Sequence, residues 1–540
     1  MTDQPEWVDS AGIPELPLEV GEERAFREAS RENLLGRLLY KGILPRYAFP
    51  TDVAAFYVFD PANSLPNRPA YRYAPSQGLP VALSQYAPGK EVWIDGKRFT
   101  SGAVYSPIPD ERFQAWQARR LYYECMRCRF ACTKPLEQGQ RGEKLDCPAC
   151  GEPASFGEAR HWFRPPGFAH PVTLDEGTSP DDEPARSYPT RAKLVAPTPP
   201  SADPRWVGVS DRVRVLPLRD HLLVTNTGPR REGYNYCTRC GLIEPAARSD
   251  GSLVREHPKP FPDQREPMCR GGRLSSGICL GTDFITDILL VSIRVDAPVW
   301  LTAGALPSEI ALRSVTESLV KAACQVLQLE ANELQGEFRA ALTPDGRRGL
   351  EAELYLYDSL PGGAGFSRRI GERGPEVLQA ALGILEQCNC ELSCYNCLRS
   401  YKNKFEHDRL DRHVGKDLLL YALKGTVPRL TEGRSNSAAE VLAEDIHRQT
   451  GNALIVSREA ILEVPGLGTV TAPIHIRDHS GGQRVVAITH PLVPRTAPSE
   501  ALESLSEYTT LPVVLVSELL VRRNLPAATR AVLVSLGQDR

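Results

Sequence analysis

No stretch of the 540-residue chain approaches the run of about eighteen apolar residues that a membrane-crossing helix requires. Residues 1–25 mix Asp, Glu and Pro with no apolar run, so the expectation is a cytoplasmic protein with no membrane contact. A dominant charge is missing too. Lys and Arg number 64 against 67 Asp and Glu, a formal net charge of −3, and no global basic field announces nucleic acid. The phosphate-binding loop of an ATP motor is also absent. Gly89-Lys90, Gly96-Lys97 and Gly415-Lys416 each lack its upstream glycine, and none is followed by Ser or Thr. No Asp-Glu-x-His-like motor motif occurs, so ATP hydrolysis by that route is excluded.

What is present is cysteine. Fourteen cysteines in a chain read as cytoplasmic favour metal over disulfides. Cys125-x2-Cys128 and Cys147-x2-Cys150 have zinc-ribbon spacing, with Pro148 and Gly151 supplying turn chemistry for the second knuckle. Cys388, Cys390, Cys394 and Cys397 pack four thiols into ten residues, too tight for unstrained disulfides and suited to one loop around zinc; an iron–sulfur cluster is the minor alternative. Cys237-x2-Cys240 opens a third group that His257, Cys269 or Cys279 could close, with His257 and Cys269 preferred because Cys279 abuts an apolar strand. Cys132 and Cys324 read as small buried apolar residues. The expectation is two to three structural Zn2+ ions, each with four protein ligands and no open position for catalysis.

Length alone predicts three or four domains. Helices are expected over 25–39, 307–329 and 375–388, and strands over 54–59, 284–295 and 354–357. Residues 91–99 form a hairpin around Asp95-Gly96. The Pro-, Asp- and Ser-rich stretch 151–204 has the composition of a long loop. Strands over 453–456, 485–489, 512–516 and 531–536 alternate with helices in a C-terminal α/β module. The expected class is α/β and α+β multidomain: small β and zinc-ribbon elements, a central mixed α/β domain with a four-cysteine loop, and the C-terminal module. The expected boundaries are 1–115, a ribbon at 116–160, a linker at 161–205, a second zinc region at 206–280, the central domain at 281–430 and the module at 431–540.

The run Glu353-Leu354-Tyr355-Leu356-Tyr357-Asp358-Ser359-Leu360-Pro361-Gly362-Gly363-Ala364-Gly365-Phe366, followed by Cys388-Asn389-Cys390 and Cys394-Tyr395-Asn396-Cys397, resembles the zinc-binding domain family named after the MrfA helicase. Leu280 to Leu290 is similar to the start of that domain. Leu44-Pro45-Arg46-Tyr47 and Tyr86-Ala87-Pro88-Gly89-Lys90 resemble the region after the motor domains of large superfamily-two helicases. The family occurs in the C-terminal parts of such helicases and in DrmB, a subunit of the DISARM phage-defence system. The resemblance implies a non-motor, zinc-containing subunit of a helicase complex in antiviral defence. Its implied partners are a separately encoded superfamily-two helicase and DNA with a single-stranded part.

The expected DNA-contacting residues are Arg119, Arg120, Arg127 and Arg129 beside the ribbon with Tyr122 and Tyr123, Arg368 and Arg369 after the glycine turn, and Arg399, Lys402 and Lys404 with Tyr401 after the last cysteine. The turn itself, Pro361 to Phe366, could cradle phosphate or could mark close packing. Two alternatives stand beside this reading. One is a nuclease using His475, Arg477, Asp478 and His490 of the C-terminal module, although neither converging carboxylates nor paired His and Lys motifs are spaced for it. The other is an architectural zinc protein that never touches nucleic acid.

Overall fold

A computed structural model describes residues 52–65, 69–177, 189–248, 251–342, 350–360 and 362–536. The expected helix over 25–39, the helicase-like segment from Leu44 and the first residue of the glycine turn, Pro361, lie outside the described residues.

The fold is organised by one strand, Leu274–Arg294, rich in the Ile, Val, Thr and Leu that suit a buried pleat. It pairs antiparallel with Val213–Asn226 from Val213↔Ile293 to Asn226↔Leu280. Its C-terminal half pairs on the other edge with Glu351–Asp358, which in turn pairs with Leu334–Ala340. Its N-terminal half takes Arg160–Phe163 in parallel, Trp162 opposite Cys279, with Arg120–Glu124 and Ala131–Lys134 beyond. Its first residues pair with Tyr234–Cys237, Cys237 opposite Leu274. One strand thereby joins the backbones that lead into the first and second cysteine groups. The strand runs unbroken through residues 280–281, where a domain boundary was expected.

Helix Leu306–Leu327 starts with Pro at its first turn and packs Ile310, Val315 and Leu319 against Leu289, Val291, Leu354 and Leu356 of the sheet. Helices Gly374–Gln387 and Arg412–Lys424 add Leu378, Leu382, Leu418 and Leu419 to the same core, and so does Cys397 from the last cysteine loop. A second core gathers Phe56, Phe99, Phe163, Phe168, Tyr234 and Tyr236 around the sheet that holds Val53–Phe59. The expected hairpin is present as Glu91–Ile94 and Lys97–Thr100. Asp95 and Gly96 both take positive φ, 48° and 73°, as a two-residue turn of the primed type requires.

Two expectations change. The stretch read as a linker contains the strands Arg160–Phe163 and Phe168–His170, and its Phe163 and Phe168 are wholly buried; Pro and Ser content masked the apolar residues between them. In the C-terminal module, residues 531–536 close a helix, Leu525–Ser535, rather than forming a strand. Asn524 caps it, Pro526 sits in its first turn, and Ala528 and Val532 face inward at helical spacing. The module's sheet runs Leu454–Val464, Gly468–Asp478, Gln483–Thr489, Val513–Ser517, with the last pair parallel. The architecture is mixed α/β with several sheets. Among the described residues no helix is long and apolar enough to cross a membrane.

Candidate metal centres and the cationic surfaces beside them

Three groups of ligand atoms converge, each within 4.8 Å of one another: Cys125, Cys128, Cys147 and Cys150; Cys237, Cys240, His257 and Cys269; and Cys388, Cys390, Cys394 and Cys397. In the first, Cys125 Sγ lies 3.7 Å from Cys150 and Cys128 Sγ 3.6 Å from Cys147. In the last, neighbouring sulfurs are 3.5 to 3.7 Å apart. A disulfide needs about 2.05 Å. Four sulfurs placed tetrahedrally at about 2.3 Å from zinc stand about 3.8 Å apart, so the donor sets fit that ion.

Local structure aims the thiols. Cys125 directly follows the strand Arg120–Glu124, and the backbone N–H groups of Arg127 and Cys128 donate to its sulfur at 3.4 Å. Cys388 is delivered by the end of helix Gly374–Gln387, and the Cys394 N–H donates to Cys397 at 3.2 Å. In the second group a short ladder, His257–Pro258 against Met268–Cys269, sets His257 beside Cys269. The Nδ1 of His257 lies 2.8 Å from the Arg255 carbonyl, so Nδ1–H donates there and Nε2 is left to face Cys240 at 3.3 Å. Cys279 is fully buried among Tyr122, Trp162 and Leu223, away from these ligands.

The thiols also compete for charge. Cys128 donates to Cys147 and holds it down to about 5, while the same contact drives Cys128 far up. Cys240 holds Cys237 down to about 4 and is itself driven up. Thiolates this close cannot all form without a cation among them, and a divalent ion removes that conflict.

The predicted cationic residues divide. Tyr122 and Tyr123 are buried core, which corrects the expectation that they could stack on bases. Arg119 lies over Trp116 and donates to its carbonyl at 3.1 Å; Arg120 donates to the Thr133 carbonyl at 3.3 Å; and Arg127 pairs with Glu152. Arg129 stands apart from these. After the third cysteine group, Arg399 donates to Ser393, whereas Lys402 and Lys404 are exposed, with the Lys404 ammonium 4.4 Å from the Tyr401 ring centre and 4.9 Å from that of Phe405. Tyr401 is 77% exposed, Tyr395 63% and Phe405 58%. Tyr395 and Phe405 were not singled out in the sequence; their adjacency to Tyr401 on one short segment was the signal.

The glycine turn resolves its two readings through its own carboxylates. Asp358, fully buried, accepts from the N–H groups of Ala364 (2.7 Å), Phe366 (3.0 Å) and Ser367 (3.0 Å) and from the Ser367 hydroxyl (2.6 Å). Asp287 accepts from Gly365 at 3.1 Å. The amides that could hold phosphate are taken, so the turn marks packing. Arg368 and Arg369 beyond it are exposed.

The residues behind the nuclease alternative serve other ends. Asp478 accepts from Ser480 and Gly482 in a turn, His475 bonds Gln483, and His490 bonds Asp417. Among the described residues, no group of three or more potential metal ligands occurs outside the three cysteine groups.

The chain is 31% identical over 445 residues to the Druantia protein DruE of Escherichia coli (strain UMEA 4076-1), across 77% of this chain and 24% of that protein, so it spans about a quarter of the relative's length. It is similar to the crystal structure of the DUF1998 helicase MrfA bound to DNA, with a TM-score of 0.32, 10% identity, and coverage of 69% of this chain and 34% of that one. Similarity to a further crystal structure of the DUF1998 helicase MrfA has a TM-score of 0.24 at 11% identity, covering 66% of this chain and 34% of that one. Residues 315–398, from within helix Leu306–Leu327 through the four-thiol loop, match the MrfA Zn-binding domain family.

Proposed function

We propose that this chain is a non-motor, zinc-containing component of a helicase assembly in antiviral defence, and that it contacts DNA having a single-stranded part. The similarity to a Druantia protein supports a Druantia-type system in place of the DISARM-type one expected from sequence. A superfamily-two helicase supplied separately would power the assembly, because the chain carries no phosphate-binding loop.

The observation that carries DNA contact is the ridge beyond Cys397. Lys404 stands over exposed Tyr401 and Phe405, with exposed Lys402 between them in sequence and exposed Tyr395 against His407, and large rings left in solvent next to cations suit stacked bases and backbone phosphate. The closed thiol loop holds the backbone from which this ridge projects. The test is copurification with the helicase and fluorescence anisotropy on single-stranded DNA. The complex should bind more tightly than the helicase alone, and equal binding would remove the DNA part of the proposal.

A further inference from the structure

Between the first zinc knuckle and helix Leu306–Leu327 lies a cavity of about 230 Å3 whose wall carries seven cationic side chains and four carboxylates. Most of this charge is matched internally. Glu124 is held by Lys193 at 3.4 Å and Arg231 at 3.5 Å. Glu309 faces Arg409 at 3.1 Å, Glu337 faces Arg313, and Glu406 faces Arg191. Arg339 takes Glu353, behind the wall, at 2.8 Å. Arg129 is the cation left over, with no ion pair among the described residues. Its Nη1 is buried without a hydrogen-bond partner, and so is Nη2 of Arg339, a side chain only 7% exposed. Unsatisfied buried guanidinium N–H groups are costly and call for a partner that fills the space in front of them.

The backbone adds an independent sign. Arg129 directly follows Cys125-x2-Cys128, and its N–H closes the knuckle on the Cys125 carbonyl at 3.1 Å. Gly151 and Gly241 do the same after their own Cys-x2-Cys pairs, at 2.8 and 2.9 Å, with φ of 71° and 88°. Arg129 has φ of 62°, a conformation that glycine tolerates and arginine resists. After the fourth pair, Cys394-x2-Cys397, Leu398 closes on the Cys394 carbonyl at 3.0 Å without positive φ, so Arg129 is the one non-glycine residue held left-handed at a knuckle; its side chain faces an unmatched cavity, which points to a use for it. Arg231, Glu124, Glu309 and Arg409 share the cavity wall with it.

We propose that this cavity binds one phosphoryl group, gripped by Arg129 and Arg339. Guanidinium N–H groups match phosphate oxygens, and the two side chains line the cavity from separate elements, the knuckle and the strand Leu334–Ala340; Arg339 offers Nη2 alone, since its Nε is held by Glu353 and its Nη1 by the Leu194 and Ala196 carbonyls at 2.7 and 2.6 Å. The volume is below the roughly 300 Å3 of a drug-sized site, which admits a phosphoryl group and what is attached next to it but no duplex. A phosphomonoester on a free nucleotide and one at the end of a DNA strand present the same group.

The site stands independently of the stacking ridge, and calorimetry on the zinc-loaded full chain separates the two. The probes are inorganic phosphate, AMP, acetate, and a single-stranded oligonucleotide with either a 5′-phosphate or a 5′-hydroxyl. Phosphate should saturate one site. AMP binding alone identifies a free nucleotide, and preference for the 5′-phosphorylated strand identifies a strand end. Arg129→Gly, which relieves the strained backbone, should weaken phosphate binding tenfold or more without loss of thermal midpoint; Arg129→Gln, which keeps the backbone as it is, should show the same loss; Arg458→Ala, at a side chain paired with Glu440 and outside the cavity wall, should bind as the natural chain does. Wild-type affinity in both Arg129 variants, no saturable phosphate binding, or acetate binding as tightly as phosphate would overturn the proposal. Failure of the 5′-hydroxyl strand to bind while phosphate still does would sink the ridge and leave this site standing.

Discussion

The glycine turn at residues 362–367 and the cavity beside Arg129 are both shaped for negative charge, and they differ in who supplies it. At the turn, Asp358 and Asp287 occupy the backbone amides from inside the chain. At the cavity, the internal carboxylates run out before the cations do. A filled receptor is structural and an underfilled one is available, although the sequence advertises only the first, with its run of glycines. The exposed ridge at Tyr401 is a third case, a cation beside rings with no carboxylate paired to it among the described residues.

The largest expected effect comes from the metal that holds the cavity's knuckle. Cys147→Ser should lower zinc content by one ion per chain, measured by elemental analysis, and abolish phosphate binding. Its stability cost should reach several kcal/mol, since zinc binding in small finger domains is worth about 10–16 kcal/mol. Next, Asp358→Asn breaks the filled receptor. It leaves buried donors facing an amide, and at about 1–3 kcal/mol for each unsatisfied group the cost should be about 3 kcal/mol or more in a denaturant melt. Added phosphate should stabilise this variant by no more than it stabilises the natural chain, through the cavity alone. Tyr401→Ala should weaken single-stranded DNA binding by about 1–3 kcal/mol in an anisotropy titration while leaving the melt unchanged, because the ring is exposed. The smallest effect should have the opposite sign: Arg129→Gly stabilises by about 1 kcal/mol as the strained φ is relieved, even as it removes the cavity's free cation.

Legibility in the sequence followed how local each feature is. The Cys-x2-Cys and four-thiol spacings named side chains that do converge, because a knuckle is fixed by three or four consecutive residues. The second group was harder. His257 and Cys269 are joined by a two-residue ladder that leaves little pattern. The helices at 306–327 and 374–387 lay within two residues of their expected ends because apolar periodicity and a leading Pro both mark them. The buried strands at Arg160–Phe163 and Phe168–His170 are too short to outweigh the Pro and Ser around them. Leu454–Val464 extends well past the expected 453–456 because most of it is solvent-facing and its alternation is weak. The cavity could not be read at all, since its wall draws on residues from Glu124 to Arg409. Its one linear trace is an arginine standing where two sister knuckles have glycine.

The central claim is that a motor-less, zinc-held chain grips single-stranded DNA through the ridge beyond Cys397. It is tested most directly by anisotropy of a single-stranded oligonucleotide titrated with the zinc-loaded chain over a range of salt. The predicted result is saturable binding whose log affinity falls linearly with log salt, weakened about tenfold or more in the Tyr401→Ala/Lys404→Ala double variant. Absence of binding at low salt, or an affinity unchanged in the double variant, would contradict it.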